Sequence, residues 1–106
     1  MGYLHIGQNG FAAQIDDRSL AHLKVVMLSE LRDGHSLSFT LAHTRDEGSG
    51  RDTFWINQST DLRFQFHGNR SPQLNRAWLN EMAKATRAGT GLFLMEEPRA
   101  TAAAAA

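Results

Sequence analysis

Asp16-Asp17-Arg18-Ser19-Leu20-Ala21-His22-Leu23-Lys24-Val25-Val26-Met27-Leu28-Ser29-Glu30-Leu31-Arg32-Asp33-Gly34 is the stretch whose reading decides the fold. It carries a start signal, a periodic body and a stop signal, and so predicts a helix. Asp16 or Asp17 offers a carboxylate to the first free backbone N–H groups and sets negative charge at the positive end of the helix dipole. Gly34 supplies the left-handed residue of the stop, with Arg32 in the last turn. At about 100° per residue, Val26, Leu23, Met27, Leu20, Leu31, Leu28 and Ala21 form one apolar arc of roughly 220°, wider than an amphipathic stripe. A helix of this kind is covered on more than one side, by a sheet and by a further element.

Upstream, Tyr3 to Ile15 reads as a β-hairpin. Asn9-Gly10 is the preferred pair for a two-residue type I′ turn, which needs φ > 0 at both positions. That turn sets Gln8 opposite Phe11, Ile6 opposite Ala13 and Leu4 opposite Ile15. Leu4, Ile6, Ala13 and Ile15 then share one face, and Tyr3, His5, Ala12 and Gln14 the other.

Downstream, Ser36 to Ala42 alternates as a half-buried strand, with Leu37, Phe39 and Leu41 pointing one way. His43 to Asp52 is polar and patternless and reads as an exposed loop. Thr53 to Asn57 is the next strand, Phe54 and Ile56 inward and Trp55 on the opposite face. Another alternates Leu62, Phe64 and Phe66 with Arg63, Gln65 and His67. Ser71-Pro72 opens a second helix, with Ser71 as cap. Its apolar face is Leu74, Ala77, Trp78, Met82 and Ala85, and Gly89 closes it. Leu92 to Met95 is a short final strand. The order β-β-α-β-β-β-α-β predicts an α+β two-layer sandwich, a mostly antiparallel sheet with two helices packed on one face. Residues 1–95 form the single domain; 96–106, ending in five alanines, read as a disordered tail.

Composition excludes several classes of function. With 11 basic and 11 acidic residues in 106, the chain has no global field to draw it to nucleic acid or anionic lipid, so such binding needs a local patch. The chain has no cysteine, which excludes disulfides and thiolate metal sites. No apolar run approaches the ~20 residues that span a membrane, and a cytoplasmic protein without a membrane role is the expectation.

Two charges fall on apolar faces. Lys24 lies on the helix wheel between Leu31 and Leu28, and Glu81 lies between Ala77 and Leu74. These positions predict a Lys24–Glu81 ion pair between the helices, against the plain reading in which both stems snorkel to water. His5, His22, His35, His43 and His67 lack metal-ligand spacing, and structural or surface roles are expected of them. No G-x-S-x-G, H-E-x-x-H or G-x-x-x-x-G-K-[ST] occurs. Gly48-Ser49-Gly50-Arg51 resembles a small anion nest, but such clusters are more often flexible loops. No catalytic, cofactor-binding or metal-ligating residue is assigned.

Arginine is the usable surface signal, with nine Arg against two Lys. Arg51, Arg63, Arg70 and Arg76 fall between the long loop and the second helix. Trp55, Arg63, Gln65 and His67 are expected on one outward sheet face. That face reads as a protein-binding or dimer surface, as a nucleic-acid surface through phosphate contact and stacking, or as a solvated face.

The stretches Met1-Gly2-Tyr3-Leu4, Ile15 to Val26, Glu47-Gly48-Ser49-Gly50-Arg51 and Leu74-Asn75-Arg76-Ala77-Trp78-Leu79 resemble a family of short actinobacterial proteins of unknown function. The resemblance runs from Met1 to about Pro98. Members of that family often carry the label "ATP-dependent DNA ligase". Ligases of that class attach AMP to the lysine of K-x-D-G, whereas the lysines here read Lys24-Val25-Val26-Met27 and Lys84-Ala85-Thr86-Arg87. No ligase motif residue carries over. The expectation is a non-catalytic binding domain that forms a homodimer or takes a protein partner. A nucleic-acid accessory role is the second reading, and an enzyme the third.

Overall fold

The computed structural model describes residues 1–42, 48 and 50–98. Their elements are β1 (Gly2–Ile6), β2 (Ala12–Ile15), α1 (Asp17–Arg32), β3 (Leu37–Ala42), β4 (Arg51–Ile56), β5 (Leu62–Gln65), α2 (Arg76–Arg87) and β6 (Leu92–Phe93). This is an α+β fold in the expected order. The strands divide, however, into two three-stranded sheets, β2-β1-β5 and β4-β3-β6, where one was expected. All pairs are antiparallel except β3–β6. Most of the loop read over His43–Asp52, Ser49 of the glycine cluster and the tail from residue 99 lie outside the described residues.

The division happens at Asn57–Thr60. Asn57 Oδ1 accepts from the Ser59 N–H (2.8 Å), and the Thr60 N–H donates to the Asn57 carbonyl (3.1 Å). This turn stops β4 and sends the chain to β1 instead of back along β4. The β1–β5 ladder is extended beyond the strands by the Gly7 N–H, which donates to the Asp61 carbonyl at 2.8 Å.

The hairpin register differs from the expected one by two residues. Leu4 lies opposite Ala13 and Gly2 opposite Ile15, and the loop is Gly7 to Gly10. A type I′ turn would require Asn9 at positive φ; Gly7 (φ 77°) and Gly10 (φ 83°) take the left-handed positions instead. Gln8 is drawn away to Asp61, with Nε2 to Oδ2 at 2.7 Å. An even offset keeps Leu4, Ile6, Ala13 and Ile15 on the buried face. A one-residue slip would instead expose side chains whose burial is worth roughly 1.5–3 kcal/mol each.

The wide arc of α1 has a structural cause. The helix packs on β1 of one sheet, on β3 of the other and on α2. Leu20, Leu23, Val26 and Met27 join Leu4 and Ile15 from one sheet, Leu37, Phe39, Ile56 and Leu92 from the other, and Trp78 and Met82 from α2 in one core. Asp16 caps α1, its carboxylate accepting from the Ser19 N–H (3.0 Å) and Ser19 Oγ (2.7 Å). At the far end Gly34 adopts φ 83°.

α2 starts later than expected. Asn75, not Ser71, is its cap, accepting from the Trp78 N–H at 3.3 Å. Tertiary hydrogen bonds hold the preceding segment out of helix, because Arg18 Nη1 donates to the Gln73 carbonyl (2.9 Å) and the Asn75 N–H donates to His22 Nε2 (2.8 Å). The expected Lys24–Glu81 pair does not form. The Lys24 Nζ lies 5.7 Å from the Phe66 ring centroid, and the exposed Glu81 pairs with Lys84 at 3.7 Å. The charge that is buried against α2 is Glu30, joined to Arg87 Nη2 at 3.1 Å.

Candidate functional site

Register assigns each exposed side chain to a face. On the β4-β3-β6 sheet, Leu37, Phe39, Ile56 and Leu92 point into the core. The opposite face carries Arg51, Thr53 and Trp55 from β4, Ser38 and Thr40 from β3, and Phe93 from β6. Trp55 is 67% exposed and Phe93 44%. Between them, Thr40 and Thr53 share a hydroxyl hydrogen bond of 2.8 Å. This face joins two large apolar side chains across small hydroxyl residues, with one arginine at its end.

The β2-β1-β5 sheet presents Tyr3, His5, Arg63 and Gln65 outward, with His5 Nε2 and Gln65 Oε1 2.8 Å apart. Arg63 and Gln65 are therefore on a different sheet from Trp55, and the single outward face expected from the sequence is not formed. The cause is the departure of β5 to β1. His67 and Arg70 follow β5 in the segment that leads to α2, and Arg76 is the first residue of α2. Arg51, Arg63, Arg70 and Arg76 are all exposed, and none makes an ion pair with a described residue.

A buried polar cluster joins the start of α1 to the cap of α2. His22 is fully buried, its Nδ1 2.7 Å from the Arg18 carbonyl and its Nε2 accepting from Asn75. A carbonyl only accepts, so Nδ1 carries the proton and the imidazole is the neutral tautomer. Asn75 Nδ2 donates to Glu97 Oε2 (2.9 Å) and to the Pro98 carbonyl (3.1 Å). Arg18 grips the same carboxylate through Nε and Nη2, each at 2.7 Å. Hydrogen bonds from Arg18 and Asn75 hold the Glu97 carboxyl down to about 2. Glu97 and Pro98, assigned by sequence to the tail, are thus tied to the domain. The Trp78 ring lies 4.4 Å from the His22 ring, and its buried indole N–H has no hydrogen-bond partner among the described residues.

The model of a family described as a domain of unknown function (DUF7882) matches residues 1–97. The chain belongs to this family. Comparisons with curated proteins and with solved structures return no match. The residue at which the DUF7882 match ends, Glu97, is the one that Arg18 and Asn75 hold against the domain.

The polar groups of this DUF7882 domain serve as clasps. Both His22 nitrogens are committed, leaving no free base there. Asp17 accepts from the His67 N–H (3.1 Å) and the Gly68 N–H (2.9 Å), and these two bonds hold its carboxyl below the usual range. Burial pushes the Glu30 carboxyl up, but His35 Nδ1 at 2.9 Å and Arg87 outweigh it and leave the group lowered. No group of three His, Asp or Glu side chains suited to a metal ion occurs among the described residues. No helix among them is long and apolar enough to cross a membrane. Sequence reasoning missed His22 and Glu30 as buried groups. Ser19, His22, Val26 and Glu30 lie three or four residues apart, the spacing of one helix row, and all four are buried.

Proposed function

We propose that this DUF7882 domain is a non-catalytic binding module that self-associates through the outer face of the β4-β3-β6 sheet. The observation that carries the reading is Trp55, a large aromatic side chain 67% exposed on a rigid strand. Trp55 stands on the edge strand β4, beside the hydroxyls of Ser38 and Thr53, and exposed tryptophan is a residue type that anchors protein interfaces. Phe93 extends the same face across β3. An isologous pairing would bring the Trp55 and Phe93 of two copies together, with a single cation per copy at its margin. The broad apolar arc of α1 is covered by both sheets and α2 and offers no surface to a partner.

Light scattering on the purified chain at about 100 µM, with Trp55→Ser and Phe93→Ser beside it, tests the reading. A dimer that both substitutions return to monomer, with unchanged circular dichroism, is expected. A strictly monomeric wild-type chain refutes self-association.

A second reading is a nucleic-acid accessory role, favoured by the four exposed arginines, which have no ion-pair partner among the described residues. It also offers the only route by which a DNA-ligase label fits this chain. Their spread over β4, β5, the segment after β5 and α2 makes it the weaker reading. Fluorescence anisotropy of nicked duplex and single-stranded DNA, at low and moderate salt, tests it. Salt-sensitive binding lost in Arg51→Ala/Arg63→Ala supports the role, and no binding at low salt rules it out.

A further inference from the structure

Segment 67–75 is fastened to α1 at both ends and stands away from it between them. At one end the Asp17 carboxylate takes the His67 and Gly68 N–H groups. At the other, Arg18 donates to the Gln73 carbonyl and His22 accepts from the Asn75 N–H. Between the fastenings lies a cavity of about 280 Å³. Its α1 wall includes Lys24 and Val25; across from it are Phe66, Arg70, Pro72 and Leu74.

The lining has a definite chemistry. Its apolar part is aromatic and aliphatic, with Val25 and Leu74 well exposed to whatever occupies the space. Two of its residues are cations and none is acidic. The Lys24 ammonium lies 5.7 Å from the Phe66 ring centroid, so the charge stands over the apolar wall. Neither Lys24 nor Arg70 has an ion-pair partner among the described residues. Asp17, whose carboxylate accepts from two backbone N–H groups, does not line the cavity and forms no ion pair with either cation. Two unpaired cations beside an apolar wall form an environment completed by a ligand of opposite charge with an apolar body.

We propose that this cavity binds a small amphipathic monocarboxylate. The carboxylate sits between the Lys24 ammonium and the Arg70 guanidinium, whose fork suits two carboxylate oxygens. The alkyl or single-ring body lies along Phe66, Val25, Pro72 and Leu74. Size limits the class, since ligand pockets span roughly 300–1,000 Å³ and this one, at about 280 Å³, falls just below that range. The site is on α1 and the segment before α2, apart from the Trp55 face, and the inference does not depend on self-association.

The test uses the full chain and octanoate, with octanol and octylammonium as probes of the same body and different heads. Amide chemical shifts followed by NMR locate binding, and calorimetry gives the constant. Octanoate is expected to saturate with a Kd of about 1 mM or below, the range open to a ligand of this size. The shifts should centre on Lys24, Val25 and Gly68 to Leu74. Lys24→Gln and Arg70→Gln, both at exposed positions that leave the fold intact by circular dichroism, should each weaken octanoate roughly three- to tenfold. Octanol should bind more weakly and octylammonium should not bind. Trp55→Ser should leave octanoate binding unchanged, which separates this site from the proposed interface. The proposal is overturned if octanoate fails to saturate by about 20 mM, if octylammonium binds as well, if the double Gln variant binds equally, or if the shifts centre on Trp55 and Phe93.

Discussion

Replacing His22 tests how the two helices are locked at their N-terminal ends. The imidazole is fully buried and accepts the Asn75 N–H at 2.8 Å, while its Nδ1–H donates to the Arg18 carbonyl at 2.7 Å. His22→Phe keeps a ring beside Trp78, now 4.4 Å from the His22 ring, but removes both bonds. The Arg18 carbonyl retains its helical partner, so the main loss is the buried Asn75 N–H. Leaving such a donor unmet costs about 1–3 kcal/mol. His22→Ala adds a cavity against Trp78, and truncations of large buried side chains cost several kcal/mol, so about 3–5 kcal/mol in total is expected. Urea melts followed by tryptophan fluorescence and by far-UV circular dichroism measure both variants. A third variant, Asn75→Ala, removes the cap of α2 and should be worth about 1 kcal/mol or somewhat more. A His22→Phe variant that melts within about 0.5 kcal/mol of wild type would show that the Asn75 N–H does not depend on the imidazole.

Other expectations follow from the same geometry. A double-mutant cycle on Glu30→Gln and Arg87→Ala should give a coupling of about 0.5–1.5 kcal/mol, reduced because the Arg87 side chain is mostly exposed; the same cycle on Lys24→Met and Glu81→Leu should be additive within about 0.5 kcal/mol. In acid, Asp17, Glu30 and Glu97 all release their protons more readily in the folded chain than in the unfolded one. Their stabilisation is therefore complete above the ordinary carboxylate range and is lost as pH falls, for Glu97 between 4.5 and about 2. Thermal melts should show Tm dropping through that window, with a shallower drop in Glu97→Gln; an unchanged slope would remove Glu97 from the account. Gly91→Ala should cost at least ~1–2 kcal/mol, because Gly91 has φ 75° and an added Cβ would meet the Ser38 side chain. Gly89→Ala, with nothing within 4 Å of its Cβ, should stay within about 0.5 kcal/mol in the same denaturant melts.

Element order, the limits of α1 and the buried faces of the strands were legible in the residues alone. Each is a local property: Asp16 caps three residues away, Gly34 turns left-handed on its own, and the alternation in Leu37–Phe39–Leu41 needs no partner to be read. Strand pairing was not legible in this way. Faces follow from period two, but partners depend on where the chain goes after a turn, and the Asn57–Thr60 turn carries β5 to β1 and splits the expected sheet. The hairpin shifted by two residues for the same kind of reason, since Asp61, distant in sequence, holds the loop at Gln8 and Gly7. The start of α2 was decided at Asn75 by His22, Arg18 and Glu97, none of them local to it. Charged positions were the least legible. A helix wheel gives the direction of Lys24, Glu30 and Glu81 but not the depth to which a neighbouring helix covers them. That depth left Lys24 over Phe66, sent Glu81 to Lys84 and buried Glu30 against Arg87.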